Sequence, residues 1–405
     1  MNRYAAALSR HPLPTQAVGE VAGEILEHLD GESPDLVVVF CSPHLAGAAE
    51  DVADTLVELL RPGALVGAVM AAVIGDGAEV EDEPGLAVWA ASLPGTDVRP
   101  LELRVEEAGG TAALVGWPEV PDRSDPAADP AEPADPATLL LLADPFTFPV
   151  EAVLDSLDVA RPDVQVVGGL ASAADGPGGN RLLLGRGAVT QGAVGVLLRG
   201  GAGVEAVVAQ GCRTIGQPLT VTEADGRHLI GLGGRTALER LQEAVAALPL
   251  DEQEAAVRGL HVGIVAQEHR GEPRLGDFLV RNLIGARPED GAVAIGTPVE
   301  VGRVVQFMVR DPLAADRDLD DALAGRDGAA ALLFTCTGRG RRLFGVPDHD
   351  AAALVAALGP VPVVGAFCAG EIGPVAGHNH VHGFSASLAL FPAGREGASG
   401  AGDGP

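Results

Sequence analysis

The sequence contains no lysine, so arginine supplies all 27 of its basic side chains, against 56 aspartates and glutamates. The formal net charge of -29 argues against a nucleic-acid partner, because a chain of this charge repels phosphate backbones. It also disfavours binding to anionic membrane surfaces. We therefore expect neither nucleic acid nor a membrane among the partners.

Cysteine is scarce, with four residues in 405 and no Cys-x-x-Cys pair. Small secreted domains that depend on disulfides are far richer in cysteine, so this pattern favours free thiols in a reducing compartment. The sequence also has no uncharged apolar run long enough to cross a bilayer, and its N-terminal region lacks the apolar core of a signal peptide. These absences predict a cytoplasmic protein.

Apolar residues are abundant, at 47%, which is enough for the cores of two or more domains. One pattern occurs three times: a buried strand, an amphipathic helix, a second strand with small residues, and a later strand that opens with glycine. The copies begin at the predicted strands 36–41, 139–143 and 332–336. We predict an α/β (α+β) fold with mixed β-sheets flanked by helices, since parallel strands need a crossover connection. The alternative is that valine-rich chains of this class resemble themselves by composition.

The segments between and around the three copies have other compositions. Apolar residues at helical spacing over 18–29 predict a helix before the first strand. Residues 121–138 form an acidic Pro/Ala run, which we expect to be a loop because it has too little apolar surface to offset its chain entropy. Asp225-Gly226 is typical of a two-residue hairpin turn in the segment between the second and third copies.

These composition changes divide the chain into two domains. A glycine-rich turn near residues 200–211 separates the first two copies from the segment that precedes the third. The expected regions are a helical lead-in at 1–34, an N-terminal domain at 35–208, a C-terminal domain at 209–391 and a disordered tail at 392–405.

The third copy ends with a distinctive polar sequence. Phe-Cys-Ala-Gly-Glu-Ile-Gly-Pro occupies 367–374, and Asn379 and His382-Gly383-Phe384 follow it. This stretch resembles the end of the C-terminal domain of the FIST family, a bacterial sensory module with an N-terminal and a C-terminal domain. Further matching motifs occur in the expected order at 168–172, 211–216, 218–222, 277–283 and 338–341.

The resemblance implies that the protein senses a small ligand, with amino acids or related metabolites as the proposed ligands. Many relatives are fused to kinase, cyclase or chemoreceptor modules, and we expect no such output domain in this chain. A signal would then pass to a signalling protein partner. A docking scaffold for that partner is an alternative.

Polar residues gather where the strands of the third copy end, which is where open α/β sheets bind ligands. Arg281 or Arg339 would grip a carboxylate, because the guanidinium fork forms two parallel hydrogen bonds with it, and Glu371 would hold an ammonium group. Alternatively, Arg281 and Glu371 pair with each other or with solvent. We predict an enclosed pocket, formed chiefly by the C-terminal domain, with the ligand-binding residues Arg281, Asn282, Arg339, Cys368, Glu371, Asn379 and His382.

The same residues allow a catalytic alternative, in which Cys368 is a nucleophile, His382 its base, and Glu371 or Asn379 the orienting group. Buried cysteine is also a common small apolar core residue, which makes a non-enzyme the preferred interpretation. His378, His380 and His382 alternate along a predicted strand, but their spacing matches no common zinc signature. We therefore expect no metal and no cofactor.

Overall fold

The structure is a computed structural model that describes residues 2–108, 111–118, 137–201, 203–266 and 275–392. Within these ranges no helix is both long and apolar enough to span a membrane. The predicted tail from residue 393 onward and the predicted loop over 121–136 lie outside the described residues. Ala137 and Thr138, which we expected to close that loop, instead begin a buried strand because they extend the leucine run that follows them.

The described residues form strands that assemble into four sheets, with helices packed against them. The strands of the N-terminal half are β1 Arg3–Ser9, β2 Leu36–Cys41, β3 Ala64–Val69, β4 Ala72–Gly75, β5 Ala78–Glu81, β6 Leu86–Ser92, β7 Thr96–Ala108, β8 Thr111–Val115, β9 Ala137–Ala143, β10 Val164–Leu170, β11 Leu182–Leu184, β12 Gly187–Val189 and β13 Ala193–Gly200. Those that follow are β14 Glu205–Gln210, β15 Cys212–Asp225, β16 His228–Leu232, β17 Arg235–Thr236, β18 Leu260–Val265, β19 Phe278–Arg287, β20 Ala292–Ile295, β21 Val304–Arg310, β22 Ala330–Cys336, β23 Val363–Cys368, β24 Glu371–Val375, β25 His378–His382 and β26 Ser385–Phe391. The helices are α1 Pro14–His28, α2 Ala49–Leu60, α3 Val150–Ala160, α4 Ala237–Ala246, α5 Leu250–Arg258, α6 Pro312–Leu323, α7 Arg341–Phe344 and α8 His349–Leu358, with short 3-10 helices at Pro43–Ala48 and Leu275–Asp277. The sheets have the strand orders β1-β6-β2-β3-β11-β12, β25-β24-β10-β9-β13-β7-β8, β14-β26-β22-β23-β4-β5 and β15-β21-β18-β19-β20-β16-β17.

Three units repeat one topology, which confirms the predicted repetition and the α+β fold. Unit 1 is β2-α2-β3 with the hairpin β4–β5 and the strand β6; unit 2 is β9-α3-β10 with β11–β12 and β13; unit 3 is β22-α8-β23 with β24–β25 and β26. In each unit the two strands around the helix are parallel, and the last strand runs antiparallel to the first. The strands β1, β7 and β14 extend the three sheets in the same way.

Each unit places its hairpin in the sheet of another unit. The hairpin β4–β5 of unit 1 pairs with β23 of unit 3, β24–β25 of unit 3 pairs with β10 of unit 2, and β11–β12 of unit 2 pairs with β3 of unit 1. The exchange closes into a ring. No unit therefore completes its own sheet, and the main-chain hydrogen bonds of each depend on another.

One glycine stands at the equivalent point of each exchanged sheet. Adding a Cβ to it would bring that atom into collision with a carbonyl oxygen of the first strand of the unit, so only glycine fits there. The register places Gly67 between Val39 and Leu183, Gly168 between Leu141 and Ile372, and Gly365 between Leu333 and Ile74. The small residues of the predicted second strands thus mark the position at which the second strand pairs with the first strand on one side and with the hairpin of another unit on the other.

The three sheets enclose a central apolar core on their inner faces. Phe40 of unit 1 meets Phe334 of unit 3 edge to face, with ring centroids 6.0 Å apart, and Leu142 and Val167 of unit 2 belong to the same core. The outer faces are covered by α1 and α2, by α3, and by α6 and α8. Each fully buried side chain of this kind contributes about 1.5–3 kcal/mol through its removal from water.

The segment between β14 and β22 forms a separate antiparallel sheet, here called the insert sheet, which runs from β15 to β21. Helices α4 and α5 pack on one of its faces. Its first hairpin turns at Gly226 and Arg227, because Asp225 pairs with His228. The turn lies one residue after the predicted Asp225-Gly226 position. A small cluster with Phe278 and Met308 joins the sheet to unit 3.

Of the two elements nearest the N-terminus, the sequence pattern predicted the helix but not the strand. The helix expected over 18–29 is α1, with Val18, Val21 and Ile25 buried. The strand β1 before it was not predicted. Its alanine-rich sequence has no clear alternation, and it is held by its pairing with β6.

We expect Gly365→Ala to lower the free energy of unfolding by at least about 2 kcal/mol, because the new methyl group cannot fit against the carbonyl of Leu333. Gly23→Ala is the matched control. Gly23 lies on the exposed side of α1 with no neighbouring atom in the way, so alanine there should stabilise by about 1 kcal/mol. Urea unfolding of both variants measures the two changes. Equal effects of the two substitutions would contradict the steric argument.

Candidate functional site

Arg339 and Asp350 form a fully buried ion pair in unit 3. Arg339 Nε donates to Asp350 Oδ2 at 2.7 Å and Nη2 donates to Oδ1 at 2.8 Å, and both side chains have 0% exposure. Arg339 follows β22, and Asp350 lies in the first turn of α8, so the pair ties a strand end to a helix start. The predicted carboxylate grip of Arg339 is thus occupied by a carboxylate of the chain itself.

Asp350 is the centre of a hydrogen-bond network that reaches unit 1. The Thr335 hydroxyl donates to Asp350 Oδ2 at 2.7 Å, and Glu79 Oε1 from β5 accepts the main-chain N–H of Asp350 at 2.8 Å and that of Ala351 at 3.2 Å. Burial opposes ionisation of Asp350, but the charge and hydrogen bonds of Arg339 outweigh it and hold the pKa of Asp350 well below its usual value. Glu79 thereby caps the N-terminus of α8 with an acid from the exchanged hairpin.

Glu371 lies in the same buried region, at the start of β24. The Ser385 hydroxyl and main-chain N–H donate to Glu371 Oε2 at 2.7 and 3.2 Å, whereas Oε1 has no hydrogen-bond partner within the described residues. Burial raises the pKa of Glu371 to about 8, despite the opposing charge of Arg339. Glu371 is therefore mainly protonated at neutral pH, and it is poorly suited to hold an ammonium group there.

Cys368 and His382 are both buried, and the pKa values of their side chains do not suit nucleophilic catalysis. Cys368 belongs to the central core and packs against Gly169, and burial raises the pKa of its thiol well above the usual value. His382 Nε2 lies 2.9 Å from the carbonyl oxygen of Gly373, and burial lowers the pKa of His382 to about 3. A buried thiol and an imidazole of this pKa supply neither a thiolate nor a strong base.

The two predicted asparagines have different environments. Asn379 is buried; its Oδ1 accepts the N–H of Val166 at 2.7 Å, and its Nδ2 donates to Asp158 at 2.6 Å and to the carbonyl of Val164 at 3.0 Å. These bonds fasten β25 to unit 2. Asn282 is exposed.

Arg281 lies elsewhere, in a cleft of about 410 Å³ between unit 2, the insert sheet and the hairpin β24–β25. We call it the Arg281 cleft. Its lining residues are Glu151, Leu154, Asp155, Gly226, Ile264, Ala266, Leu279, Arg281, Thr297, Pro298, Val299, Glu300, Arg303, Asn379, His380 and Val381. The structure thus brings Arg281 and Asn379 together, whereas Arg339 and Glu371 are fully buried outside the cleft.

The floor of the cleft is cationic. Arg281 is only 14% exposed; its Nη1 donates to the carbonyls of Val280 and Val381 at 3.1 and 2.9 Å, and its Nη2 lies 3.4 Å from Glu151 Oε1. Its Nε is buried and has no hydrogen-bond partner within the described ranges. Arg303 adds a second guanidinium, which donates to the carbonyl of Val265 at 2.7 Å. Because Arg281 Nη2 has only the long contact with Glu151 among the described residues, it can still donate a hydrogen bond to a bound acceptor.

The rim of the cleft is acidic, through Glu151, Asp155 and Glu300. Burial and the charge of Arg281 lower the pKa of His380 to about 4, so this imidazole is neutral and can donate or accept at neutral pH. A cationic floor below a carboxylate rim is complementary to a small molecule that carries both charges.

Sequence reasoning missed Asp350, Glu151 and Arg303, and it considered His380 only as a metal ligand. Asp350 had one usable signal, because an acid in the first turn of a helix after a strand-end arginine is well placed to pair with it. Glu151 and Arg303 belong to parts of the chain remote from Arg281 in sequence, and only the fold brings them together.

We expect Arg339→Met to cost about 3–5 kcal/mol of unfolding free energy, since it leaves the Asp350 carboxylate buried without its cation. Arg341→Met is the matched control, because Arg341 is exposed and its Nε lies 3.6 Å from Glu81, a pair worth less than about 1 kcal/mol. Chemical denaturation measures both. A similar loss of unfolding free energy in the two variants would show that the buried pair stabilises the fold no more than the surface pair does.

The raised pKa of Glu371 predicts a pH-dependent difference between Glu371→Gln and the parent protein. The folded state holds the proton up to about pH 8, whereas the unfolded group, whose pKa has the ordinary glutamate value of 4.5, releases it earlier. Above pH 4.5 the stability contribution of Glu371 therefore falls with rising pH, by up to about 1.4 kcal/mol per pH unit, until pH 8. Glutamine does not titrate, so the variant should gain stability relative to the parent over this interval.

Unfolding free energies of both proteins between pH 5 and 9 test this expectation. Taking the difference between them cancels the contribution of Glu79, whose pKa is also raised, to about 7, by burial. A difference that stays constant across the interval would mean that Glu371 is ionised in the folded protein at neutral pH.

Comparison with known proteins supports the family resemblance that the sequence motifs indicated. The FIST N domain matches residues 35–235 and the FIST C domain matches residues 237–374. An uncharacterised protein of Mycobacterium tuberculosis strain H37Rv is 43% identical over 395 residues, which is 96% of this chain and 99% of the relative. An uncharacterised protein of Mycobacterium bovis is 42% identical over 395 residues, or 96% of this chain and 98% of the relative. FIST domains are associated with sensory signal transduction, and the chain belongs to the FIST family.

Proposed function

We propose that this FIST protein is a sensory protein that binds a small metabolite, an amino acid or a related carboxylate, in the Arg281 cleft. The observation that carries the proposal is the largely buried guanidinium of Arg281, which lines a cleft of about 410 Å³ and whose Nη2 has only a 3.4 Å contact with Glu151 among the described residues. That volume lies within the range of small-ligand pockets. The cleft is lined mainly by the region of the C-terminal domain and is closed on one side by α3.

The carboxylate of the ligand would bind Arg281. Hydrogen bonds from a guanidinium to a carboxylate are charge-assisted and stronger than those between neutral groups. The contact of Arg281 with Glu151 does not prevent this, because Glu151 is 55% exposed and its 3.4 Å contact is long. The ligand carboxylate would replace an exposed partner with an enclosed one.

The ammonium group of an amino acid would lie toward the rim, where Glu151, once released from Arg281, and Asp155 supply negative charge. A ligand with a carboxylate alone would leave these acids unpaired and would meet repulsion at the rim. We therefore expect amino acids to bind more tightly than simple carboxylates of the same size.

The hairpin β24–β25 offers a route from the cleft to the rest of the molecule. Arg281 donates to the carbonyl of Val381 in β25, and β24 begins with Glu371, which accepts hydrogen bonds from Ser385 of β26 in unit 3. A ligand that draws Arg281 away from Val381 would change the support of a hairpin that spans two units. We propose that a signalling protein partner reads this change.

A thermal-shift screen of amino acids and carboxylates tests the proposal, on protein that has been unfolded and refolded to remove any copurified ligand. A ligand at a hundred times its dissociation constant stabilises the folded state by about 2.7 kcal/mol. We expect at least one amino acid to raise the melting temperature, and Arg281→Gln to abolish that rise. The absence of any shift across the screen would count against ligand sensing.

Arg287→Gln is the matched control for this experiment. Arg287 lies on the same strand as Arg281, but its side chain is 42% exposed and pairs with Asp290 at 2.7 Å outside the cleft. The control variant should retain the full ligand-induced shift. If both variants lose it equally, the effect comes from the net charge of the strand and not from the cleft.

A further inference from the structure

Arg310 is a half-buried cation with no ion pair among the described residues. It ends β21, and its guanidinium carbon lies 3.6 Å from the centroid of the Phe384 ring. Its Nε is buried and has no hydrogen-bond partner within the described residues. No ion pair or hydrogen bond of the Arg310 side chain occurs there. The flat face of the guanidinium is thus occupied by the ring, while Nη1 and Nη2 have no hydrogen-bond partner among the described residues.

This isolation is unexpected in a chain with twice as many acids as bases. Arginines far more exposed than Arg310, such as Arg99, Arg104 and Arg186, lie beside carboxylates of the protein. Burial of an unpaired charge destabilises a fold, and an acid nearby would remove that cost. Asp311, the residue next in sequence, instead pairs with Arg213 at 2.7 Å.

The groups whose charges act on Arg310 are two thiols and a second arginine. The thiols of Cys212 and Cys336 are close to it, and burial raises the pKa of each to about 12, so both are uncharged at neutral pH. Arg342 is close enough for its charge to oppose that of Arg310, and its exposed side chain has no ion pair in the described part of the chain. The two arginines therefore repel each other, and neither has an ion pair among the described residues.

The backbone of Gly338 lies close to both Arg310 and the Phe384 ring. A Cβ on Gly338 would lie 3.0 Å from Arg310 Nη2 and 2.6 Å from the Phe384 ring, so a larger residue would press on the stack. Glycine at this point keeps the edge of the guanidinium clear. Gly338 is also part of the Gly-Arg-Gly-Arg motif that singled out this loop in the sequence.

We propose that Arg310 and Arg342 bind an oxyanion group, a carboxylate or a phosphate of a small molecule, at the junction between the insert sheet and unit 3. The fork of Arg310 would donate to two oxygens of the anion while the Phe384 ring supports its face. This site is distinct from the Arg281 cleft, and it does not depend on the function proposed for that cleft.

Titration with inorganic phosphate and, separately, with succinate tests the proposal on the full chain, with sodium chloride used to keep the ionic strength constant. We expect one or both anions to raise the melting temperature of the parent protein. Arg310→Gln should raise the dissociation constant at least about tenfold, which corresponds to about 1.4 kcal/mol. A response to phosphate alone or to succinate alone would support the site and identify the chemistry of its ligand.

Two further variants separate binding from structure. Arg342→Gln changes an exposed side chain, so it should fold like the parent and still weaken anion binding. Arg317→Gln, an exposed arginine of α6 without an ion pair among the described residues, should leave binding unchanged. The proposal is overturned if neither anion acts beyond chloride, or if Arg342→Gln and Arg317→Gln bind the anion as the parent does. It is also overturned if Arg310→Gln is destabilised equally in chloride and in phosphate, which would assign Arg310 a structural role only.

Discussion

The reciprocal exchange of hairpins is the constraint on which the rest of this fold depends. Edge strands expose unpaired main-chain groups, and here each second strand is covered by a hairpin from another unit. The close approach that this needs leaves no room for a side chain at Gly67, Gly168 or Gly365. Because the ring of exchanges includes both domains, we regard them as one cooperative body, in which a change at one hairpin alters the support of two sheets.

The buried charged groups, like the hairpins, join elements of different units. In a strongly acidic chain, an interior pair such as Arg339 and Asp350 is held by excellent geometry, and Glu79 brings a third ionisable group from unit 1 into the network. Replacing such networks by apolar residues can be neutral or stabilising, so their value lies in specifying which elements meet. Here the network specifies that the hairpin β4–β5 meets the start of α8. The polar residues that first suggested a pocket thus have an architectural role, and the open cleft lies beside Arg281.

The repeating strands and helices could be predicted because local patterns determine them: buried valine-rich runs form strands, and apolar residues at helical spacing form helices. The short strands β4 and β11 could not, since a few residues show no period and their partners lie far away in sequence. Arg339 and Arg281 also show which features the sequence can predict and which depend on the fold. The residue type predicted that Arg339 binds a carboxylate, but its partner Asp350 depends on how α8 packs. Arg281 was predicted as a ligand contact, whereas the acids around it, from α3 and residue 300, converge only in three dimensions.

The hairpin ring also determines when the protein can fold during synthesis. The sheet of unit 2 has its central strands by residue 200, yet β10 has no neighbour on its outer side until β24, at residues 371–375, leaves the ribosome. Pairings of such long sequence range form slowly, and exposed strand edges aggregate while they wait. Most of the chain must therefore emerge before β10 is covered, and until then the edge of that strand stays open to pairing with another chain.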